Sequence, residues 1–433
     1  MSEHADRLAE RIARQEAVVA VLGMGYVGLP LALAFAERGF LVLGFDTDAA
    51  KVEALKGGRS YIGHLAAERV AAARAAGRLA ATADAARLAE ADALLICVPT
   101  PLAAGREPDL SHIEATAETI ARTLRPGQLV VLESTTYPGT TNEVLRPRLE
   151  ASGLVAGRDF FLAYSPERED PGSKEHAITS IPKLVGGVDP LSGDLAQRLY
   201  DQVVARTVRV ADAETAEAAK LTENVFRAVN IALVNELKVV YECLGIDVWE
   251  VLAAAKTKPF GFMPFEPGPG WGGHCIPIDP FYLSWRAAQH GTTARFIELA
   301  GAVNVEMPRH VVARLRATID GSLAGRRVLV LGLAYKRDVA DPRESPAFEV
   351  LSLLLDEGAE VAYHDPHIPE APAMRTWRDL PRLTSVPLTA AALATYDAVV
   401  LVTDHSAVDY DLVRAHSRAI VDTRGVYPRG TPN

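Results

Sequence analysis

The chain has 433 residues, of which 49% are hydrophobic and 23% are charged, with a formal net charge of −10. This length allows two or three domains, and the composition is typical of a globular protein. The chain has no basic surplus, so we do not expect it to bind a nucleic-acid backbone. No apolar run approaches the length of a bilayer span, so we do not expect it to bind a membrane. Three widely spaced cysteines and an N-terminal segment without an apolar signal core lead us to expect a cytoplasmic protein.

A glycine-rich turn follows the first predicted strand. The run VVAVLG is typical of a strand buried on both faces, and Gly23, Gly25 and Gly28 follow it in the spacing G-x-G-x-x-G. In dinucleotide sites the first glycine permits the turn, the second lets a pyrophosphate approach the backbone, and the third lets helix and strand pack closely. Asp46 ends the next strand, where a carboxylate binds a ribose diol and repels a 2′-phosphate. The pattern predicts a site for NAD rather than NADP; a glycine turn without a ligand is the alternative.

Three further strands are expected, at ADALLICVPTP, QLVVLESTTYPGTT and DFFLAYSPER. Strands alternating with helices predict a doubly wound parallel sheet, whose ligands bind outside the carboxyl ends of the strands. Thr100 and Thr136 follow two of these strands and are candidates to contact the nicotinamide or a catalytic water, although helix capping would explain each of them equally. Glu167 follows the fifth strand and is either a base toward water or a solvated loop acid.

A long helix is predicted from Asp212 to Gly245, because this stretch contains no proline and no internal glycine. At ~1.5 Å per residue it is roughly 50 Å long. Its apolar face needs cover, which we expect a second subunit to provide together with the chain itself; an ordinary linker helix is the alternative. Lys220 and Asn224 share one face of it, where a cation and an amide donor can hold a developing oxyanion; a surface lysine is the alternative.

The segment GPGWGGHCIPIDP, residues 268–280, carries the strongest candidate for a nucleophile. Cys275 follows a run of glycines, which leave the backbone approachable and keep bulk away from the thiol, and Asp279 comes four residues later. A nicotinamide site and a covalent thiol in one chain suggest oxidation past the aldehyde, to the acid.

The remaining cysteines and the histidines are assigned structural roles. Cys97 lies within a predicted strand and Cys243 within the long helix, so we expect both to be inert packing residues. His274 adjoins Cys275, but neighbours in a chain need not face each other, and we assign it to the shape of the loop. The eleven histidines show no ligand spacing, so we predict no metal.

The pattern of the first strands returns from Arg326 onward, in the segments RRVLVLG, EVAYHDP, YDAVVLV and AIVDTRG. We infer a second, smaller α/β domain of related topology. Its turn, GLAYKRD, lacks the three glycines, so we expect a different ligand that carries a pyrophosphate. Lys336, Arg337 and Arg343 can grip such a group, or they belong with Glu344 to a solvated charged loop.

Taken together, these motifs resemble the UDP-glucose/GDP-mannose dehydrogenase family of nucleotide-sugar 6-dehydrogenases. Seven ordered blocks carry the resemblance over nearly the whole chain: GMGYVGLP, VPTP, ESTTYPGTT, SPEREDPG, AKLTENVFRAVNIALVNE, GPGWGGHCIPIDP and GLAYKRDVADPRES. The resemblance implies an α/β fold with two Rossmann-like doubly wound parallel-sheet domains, joined by a long central helix and a helical dimerisation domain. We therefore expect an NAD-binding domain at residues 1–210, a central domain with the cysteine loop at 211–320, and a UDP-binding domain at 321–433.

The resemblance also implies roles for single residues. The family's nucleophile corresponds to Cys275, and the other catalytic residues correspond to Lys220, Asn224, Asp279, Glu167 and Thr136. The predicted cofactor contacts are Gly23, Gly25, Tyr26, Val27, Gly28, Asp46, Lys51, Thr100, Thr136 and Arg343. The predicted substrate contacts are Glu167, Arg168, Lys220, Asn224, Gly272, Gly273 and Lys336.

The implied reaction is oxidation of the C6 alcohol of a nucleotide sugar to a carboxylate with two NAD+, in a homodimer or a higher homo-oligomer that serves surface polysaccharide synthesis. The block GGHC departs from the GGSC of enzymes acting on UDP-glucose and is similar to the branch acting on N-acetylated hexosamines, especially UDP-N-acetylglucosamine. UDP-N-acetylmannosamine and UDP-glucose are alternative substrates. A single-step dehydrogenase of a 3-hydroxy acid and a non-catalytic NAD-binding regulator are alternative functions.

Overall fold

The computed structural model describes residues 3–63, 65–168, 180–273, 275–374 and 376–427. The chain divides into two compact units. The first comprises Met1–Glu223 with Trp285–Thr292, and the second comprises Asn224–Ser284 with Thr293–Asn433.

An eight-stranded sheet forms the centre of the first unit. Its strands are β1 (Val18–Leu22), β2 (Leu41–Phe45), β3 (Leu79–Thr82), β4 (Ala93–Ile96), β5 (Leu129–Leu132), β6 (Phe161–Tyr164), β7 (Lys183–Gly187) and β8 (Thr207–Arg209). They lie in the order β3-β2-β1-β4-β5-β6-β7-β8. The first six strands are parallel, whereas β7 is antiparallel to β6 and parallel to β8. The strand order reverses between β1 and β4, which is where doubly wound sheets bind ligands.

Every residue of β4, β5 and β6 is buried, since helices cover both faces of this sheet. The helices are α1 (Glu3–Ala13), α2 (Gly28–Glu37), α3 (Ala49–Lys56), α4 (Ala67–Ala75), α5 (Ser111–Ala121), α6 (Arg146–Glu150) and α7 (Pro190–Tyr200). Asp48 caps α3 by accepting from the Ala50 amide, and Asp189 caps α7 at Ser192.

The strands β3, β7 and β8 were not among those predicted from the sequence. The strand β3 reads LAAT, β7 ends in two glycines, and β8 has three residues. None of them is a long apolar or β-branched run, and they form because the neighbouring strand supplies their hydrogen bonds.

The second unit combines helices with a smaller sheet. Its helices include α8 (Ala213–Cys243), which begins in the first unit, α9 (Val248–Lys256), α10 (Asp279–Gln289), which ends in the first unit, and α11 (Arg295–Thr318). The sheet contains β9 (Arg327–Leu331), β10 (Glu360–His364), β11 (Ala398–Leu401) and β12 (Ile420–Asp422) and is flanked by α12 (Pro346–Asp356), α13 (Ala390–Leu393) and α14 (Tyr410–His416).

The small sheet repeats the plan of the large one. Its strands are all parallel and lie in the order β10-β9-β11-β12, which is the order of β2-β1-β4-β5 in the first unit. The four segments that repeat the opening pattern thus form one sheet, and the expected α/β fold with two Rossmann-like domains and a long helix is confirmed. None of the helices in the described ranges combines the length and the apolar character that a bilayer span requires.

Candidate active site

The three glycines after β1 occupy three different environments. Gly23 has φ +94°, and a Cβ there would lie 2.6 Å from the Cys97 carbonyl oxygen. A Cβ at Gly28, the first residue of α2, would lie 1.9 Å from the Gly23 carbonyl oxygen. A Cβ at Gly25 would meet no atom within 4 Å. The outer glycines are therefore needed to form the turn, whereas Gly25 leaves its backbone open to a ligand, as a pyrophosphate requires.

Asp46 is held in place at the carboxyl end of β2. Its carboxylate accepts from the backbone amides of Met24 and Asp48, both at 2.9 Å, and pairs with the Lys51 ammonium at 3.2 Å. The side chain of Lys51 thus supports Asp46, while Tyr26 in the glycine turn is exposed. An anchored carboxylate beside an open glycine turn fits the ribose and pyrophosphate of a dinucleotide.

Thr100 and Thr136 are both buried beyond the carboxyl ends of β4 and β5. The hydroxyls of Thr136 and Thr140 are 2.6 Å apart, and that of Thr140 donates to the Tyr137 carbonyl oxygen at 2.8 Å. Since Thr140 has one hydroxyl hydrogen, Thr136 donates to Thr140 and keeps its lone pairs as acceptors. A water or an amide that meets Thr136 would therefore have to donate to it.

Glu167 lies beyond β6, next to a buried ion pair that the sequence did not reveal. One oxygen of Glu167 accepts from the Arg168 amide at 2.6 Å, and Arg168 pairs with Glu223 at 2.6 Å. The Lys183 ammonium contacts the Glu133 carboxylate at 2.6 Å and the Pro166 carbonyl at 3.3 Å. Burial opposes the charge of Lys183, but the carboxyls of Glu133 and Glu167 outweigh it and raise its pKa.

Lys220 is buried in α8, one turn after a second buried acid, Glu217. Glu217 accepts from the Gly139 amide at 2.7 Å, the Thr141 amide at 2.9 Å and the Thr141 hydroxyl at 2.6 Å. Burial raises the pKa of Glu217 to about 7 against these three hydrogen bonds. The carboxyl fixes the loop that contains Thr136 to the helix that contains Lys220.

The second unit brings three of the predicted catalytic residues together. Cys275 is exposed, and its carbonyl accepts from the Asp279 amide at 2.8 Å in the turn that opens α10. The Asp279 carboxylate is buried and accepts from the Asn224 side-chain amide at 2.6 Å. An accessible thiol therefore lies within one turn of a carboxylate whose position is fixed by α8.

The glycines before Cys275 are explained by close packing. A Cβ at Gly272 would lie 2.9 Å from Cβ of Tyr335, and a Cβ at Gly273, which has φ +82°, would lie 2.9 Å from the Tyr335 ring. The Gly273 amide donates to the Arg343 carbonyl at 3.1 Å. The cysteine loop is thus packed against the loop that follows β9.

The charged residues after β9 have different partners. The Arg343 guanidinium pairs with Asp341 at 2.6 Å, Arg337 is exposed and pairs with Asp404, and Lys336 is half-buried. Two further cations were missed by the sequence reasoning, since they come from distant segments: Lys238 of α8 and Arg424 after β12. Burial lowers the pKa of Lys238 to about 8 and that of Arg424 to about 10. Arg424 approaches the glycine loop, because a Cβ at Gly268 would lie 2.7 Å from its Nη1.

The expectation for the other two cysteines was half right. Cys97 is buried, and burial raises the pKa of its thiol well above the ordinary value. Cys243 is exposed, so the expectation that it is a packing residue is wrong: it is the last residue of α8, where the helix leaves the core. His274 lies outside the described residues.

Three family models match the chain in sequence order. Residues 17–204 match the NAD binding domain of the UDP-glucose/GDP-mannose dehydrogenase family, residues 214–306 its central domain, and residues 329–429 its UDP binding domain. The chain belongs to the UDP-glucose/GDP-mannose dehydrogenase family. It is therefore an NAD-dependent oxidoreductase of nucleotide sugars, and the prediction of NAD as the cofactor is confirmed.

Several relatives of this family are similar along 90% or more of their length. The chain is 36% identical to UDP-N-acetyl-D-glucosamine 6-dehydrogenase of Pseudomonas aeruginosa, covering 90% of both chains. It is 37% identical to NDP-N-acetyl-D-galactosaminuronic acid dehydrogenase of Ralstonia nicotianae, covering 94% of this chain and 96% of the relative. Among solved structures it resembles UDP-D-ManNAc dehydrogenase from Pyrococcus horikoshii, with a TM-score of 0.86 and 32% identity over 95% of this chain and 96% of that one.

Proposed function

We propose that the chain oxidises the C6 alcohol of UDP-N-acetylglucosamine to the carboxylate of UDP-N-acetylglucosaminuronic acid, through a covalent adduct on Cys275. The observation that carries this proposal is the start of α10, where an exposed thiol lies within one turn of the buried Asp279 carboxylate and its Asn224 partner. An accessible thiol beside oriented polar groups is suited to covalent catalysis.

The proposed reaction consists of two oxidations, one addition of a thiol and one hydrolysis. The alcohol loses a hydride and a proton to become an aldehyde, and the thiol of Cys275 adds to that aldehyde to give a thiohemiacetal. Loss of a second hydride and proton gives a thioester, which water hydrolyses to the carboxylate and the free thiol. When bound, NAD+ supplies the hydride acceptor for each oxidation, so two NADH form per substrate.

The residues around the reaction have the following proposed roles. Lys220 and Asn224 stabilise the oxyanion, since a buried cation and an amide donor favour developing negative charge. The C6 hydroxyl proton passes to water held by Asp279, Lys220 or Thr136. Glu167 or Thr136 orients the water that hydrolyses the thioester.

The proposed cofactor contacts follow from the turn after β1. Gly23, Gly25 and Gly28 would hold the pyrophosphate, and Asp46 would accept the ribose diol. The other proposed cofactor contacts are Tyr26, Val27, Lys51, Thr100, Thr136 and Arg343.

The proposed contacts with the nucleotide sugar lie mainly in the loops around the cysteine. Lys336 would bind the phosphates, and the half-buried cation Arg424 beside the glycine loop fits the same anion. Gly272, Gly273 and Arg168 complete the proposed substrate contacts.

The choice of sugar rests on the GGHC block and on relatives of nearly equal similarity. A relative named for UDP-N-acetylglucosamine is 36% identical, and relatives named for UDP-N-acetylmannosamine are also 36% identical. UDP-N-acetylmannosamine, which the sequence left open as an alternative substrate, is the second candidate. We further propose that the product supplies surface polysaccharide synthesis from the cytoplasm.

The test is a side-by-side assay of UDP-GlcNAc, UDP-ManNAc, UDP-glucose, UDP-galactose and GDP-mannose. We expect the highest kcat/KM for UDP-GlcNAc, with two NADH formed per molecule consumed. A higher kcat/KM for another sugar nucleotide would overturn the substrate assignment. One NADH per substrate would overturn the four-electron scheme and favour a single-step dehydrogenase, and absence of turnover on the whole panel would favour a regulator.

We also propose that the second unit forms the interface of a homodimer. Phe226, Leu233 and Val240 of α8 are spaced by seven residues and are 45–50% exposed, and Phe296 and Leu299 of α11 are more exposed still. A stripe at this spacing is typical of helix–helix contact, and a second copy of the chain would cover it. We expect Leu233→Glu to reduce the mass measured by light scattering to that of a monomer. The matched control is Leu41→Glu, since Leu41 is 44% exposed in the first unit, and an unchanged mass for both variants would contradict this interface.

A further inference from the structure

A buried histidine links the loop after β9 to the carboxyl end of β10. His405 lies beyond β11 with no exposed surface, and its two ring nitrogens have different partners. Its Nδ1 lies 3.0 Å from the backbone amide nitrogen of Asp338, and its Nε2 lies 3.1 Å from a carboxylate oxygen of Asp365. The Asp365 side chain is itself fully buried.

These partners fix the tautomer of His405. A backbone N–H can only donate, so Nδ1 accepts from Asp338, and the proton on Nε2 is donated to Asp365. Asp338, His367 and His405 also present metal-ligating atoms within 4.8 Å of one another. Since both nitrogens of His405 are already engaged, this cluster is better explained as a hydrogen-bonded anchor than as a metal site.

The anchor holds the loop after β9 at two points. The Asp365 oxygen that accepts from His405 also accepts from the amides of Leu333 at 2.7 Å and Ala334 at 2.9 Å. At the other point, His405 accepts from the Asp338 amide, and the Asp338 carboxylate accepts from the Ser406 amide at 2.8 Å. The residues between these points are Tyr335, Lys336 and Arg337, and the ring of Tyr335 packs against the glycines before the catalytic cysteine.

We propose that His405, oriented by Asp365, is a positioning residue that holds Lys336 in place for the phosphates of the nucleotide sugar. The proposal rests on the proposed function, because Lys336 is a substrate contact only there. His405 acts on Lys336 through the backbone amide of Asp338, which lies two residues after Lys336 in the chain. The hydrogen bond between His405 and this amide limits the conformations of the loop. Its loss should therefore weaken binding of the UDP portion and leave NAD binding unchanged.

Two substitutions separate the two bonds of His405. In His405→Asn the amide oxygen can stand at the position of Nδ1 and accept from Asp338, whereas in His405→Gln the amide nitrogen can stand at the position of Nε2 and donate to Asp365. Losing one net hydrogen bond corresponds to roughly a 5- to 10-fold change in an equilibrium constant. We expect His405→Gln to raise the Kd for UDP and the KM for the nucleotide sugar by that factor, and His405→Asn to raise them less.

The control is His364→Gln at the end of β10, where the half-buried His364 makes one bond to the Val386 carbonyl at 2.7 Å. It should change the melting temperature without changing the Kd for UDP. A Lys336→Ala background provides the second readout, because His405→Gln should then add little further loss of UDP affinity. Full additivity of the two substitutions, or equal loss in the Gln, Asn and His364 variants, would overturn the proposal. Binding of UDP requires no turnover, so a failure of the proposed reaction is distinguishable from a failure of this anchor.

Discussion

Replacing Gly25 by alanine separates the proposed cofactor-binding role of the turn after β1 from its structural role. A methyl group at Gly25 would meet no atom of the protein within 4 Å, and Gly25 is not in the left-handed region. The substitution should leave folding intact and add a few tenths of a kcal/mol up to about 1 kcal/mol of stability, because it restricts the unfolded chain. In the complex, the same methyl group would occupy the space of the pyrophosphate.

The matched substitution is Gly28→Ala, where the added Cβ would lie 1.9 Å from the Gly23 carbonyl oxygen. Ordinary contact requires about 3.4 Å, so strand or helix must move by more than 1 Å, at a cost on the order of 3 kcal/mol. For a unit of this size that cost lowers the melting temperature by roughly 6–12 °C. Overpacking against the cofactor at Gly25 costs about 1–3 kcal/mol, which weakens NAD binding by roughly 5- to 150-fold.

The assay combines thermal unfolding without ligand with calorimetric titration of NAD+ and of UDP. We expect Gly25→Ala to keep or slightly raise the wild-type melting temperature and to keep the wild-type Kd for UDP while losing NAD affinity. We expect Gly28→Ala to lower the melting temperature. A Gly25→Ala variant that binds NAD+ like the wild type would refute the conclusion that the pyrophosphate crosses this turn.

Three further predictions address the thiol, the buried acid and the glycine loop. Cys275→Ser should bind UDP and NAD+ normally but form no acid product, which chromatography of the nucleotide sugars would detect; acid formed at the wild-type rate would exclude the covalent route. Because burial raises the pKa of Glu217 from 4.5 to about 7, the stability that its protonation provides is fully present below pH 4.5 and is lost as the pH rises through 7. The free energy of unfolding from urea titrations should therefore fall over this range for the wild type relative to Glu217→Gln, and parallel curves would contradict the shift. Gly273→Ala should cost more stability than Gly261→Ala, since both residues have positive φ but only Gly273 faces the Tyr335 ring; equal losses would show that the ring moves aside.

Much of the fold was predictable because the central strands are short, continuous apolar runs. The segments VVAVL and LVVL are buried on both faces by helices, and such runs are recognisable without knowledge of their neighbours. The strand KLVGG was not predictable, because its glycines favour turns and only its pairing with β6 and β8 makes it a strand.

The candidate site was predictable where its residues are close in sequence. Cys275 and Asp279 belong to one turn, and the three glycines after β1 belong to another. The ion pair of Lys183 with Glu133 spans 50 residues, and the bond of His405 to Asp365 spans 40. Such pairs become visible only when the sheet order is known, because parallel strands bring their carboxyl ends together from distant parts of the chain.

The most direct test of the covalent route is the mass of the enzyme during turnover. Glu167→Gln, in which hydrolysis should be slowed, would be mixed with NAD+ and UDP-GlcNAc, quenched with acid and digested for mass spectrometry. We predict that the peptide containing Cys275 gains the mass of the UDP-N-acetylglucosaminuronyl group, joined as a thioester. Steady formation of two NADH per substrate, with the Cys275 peptide unmodified at every time point, would contradict the account.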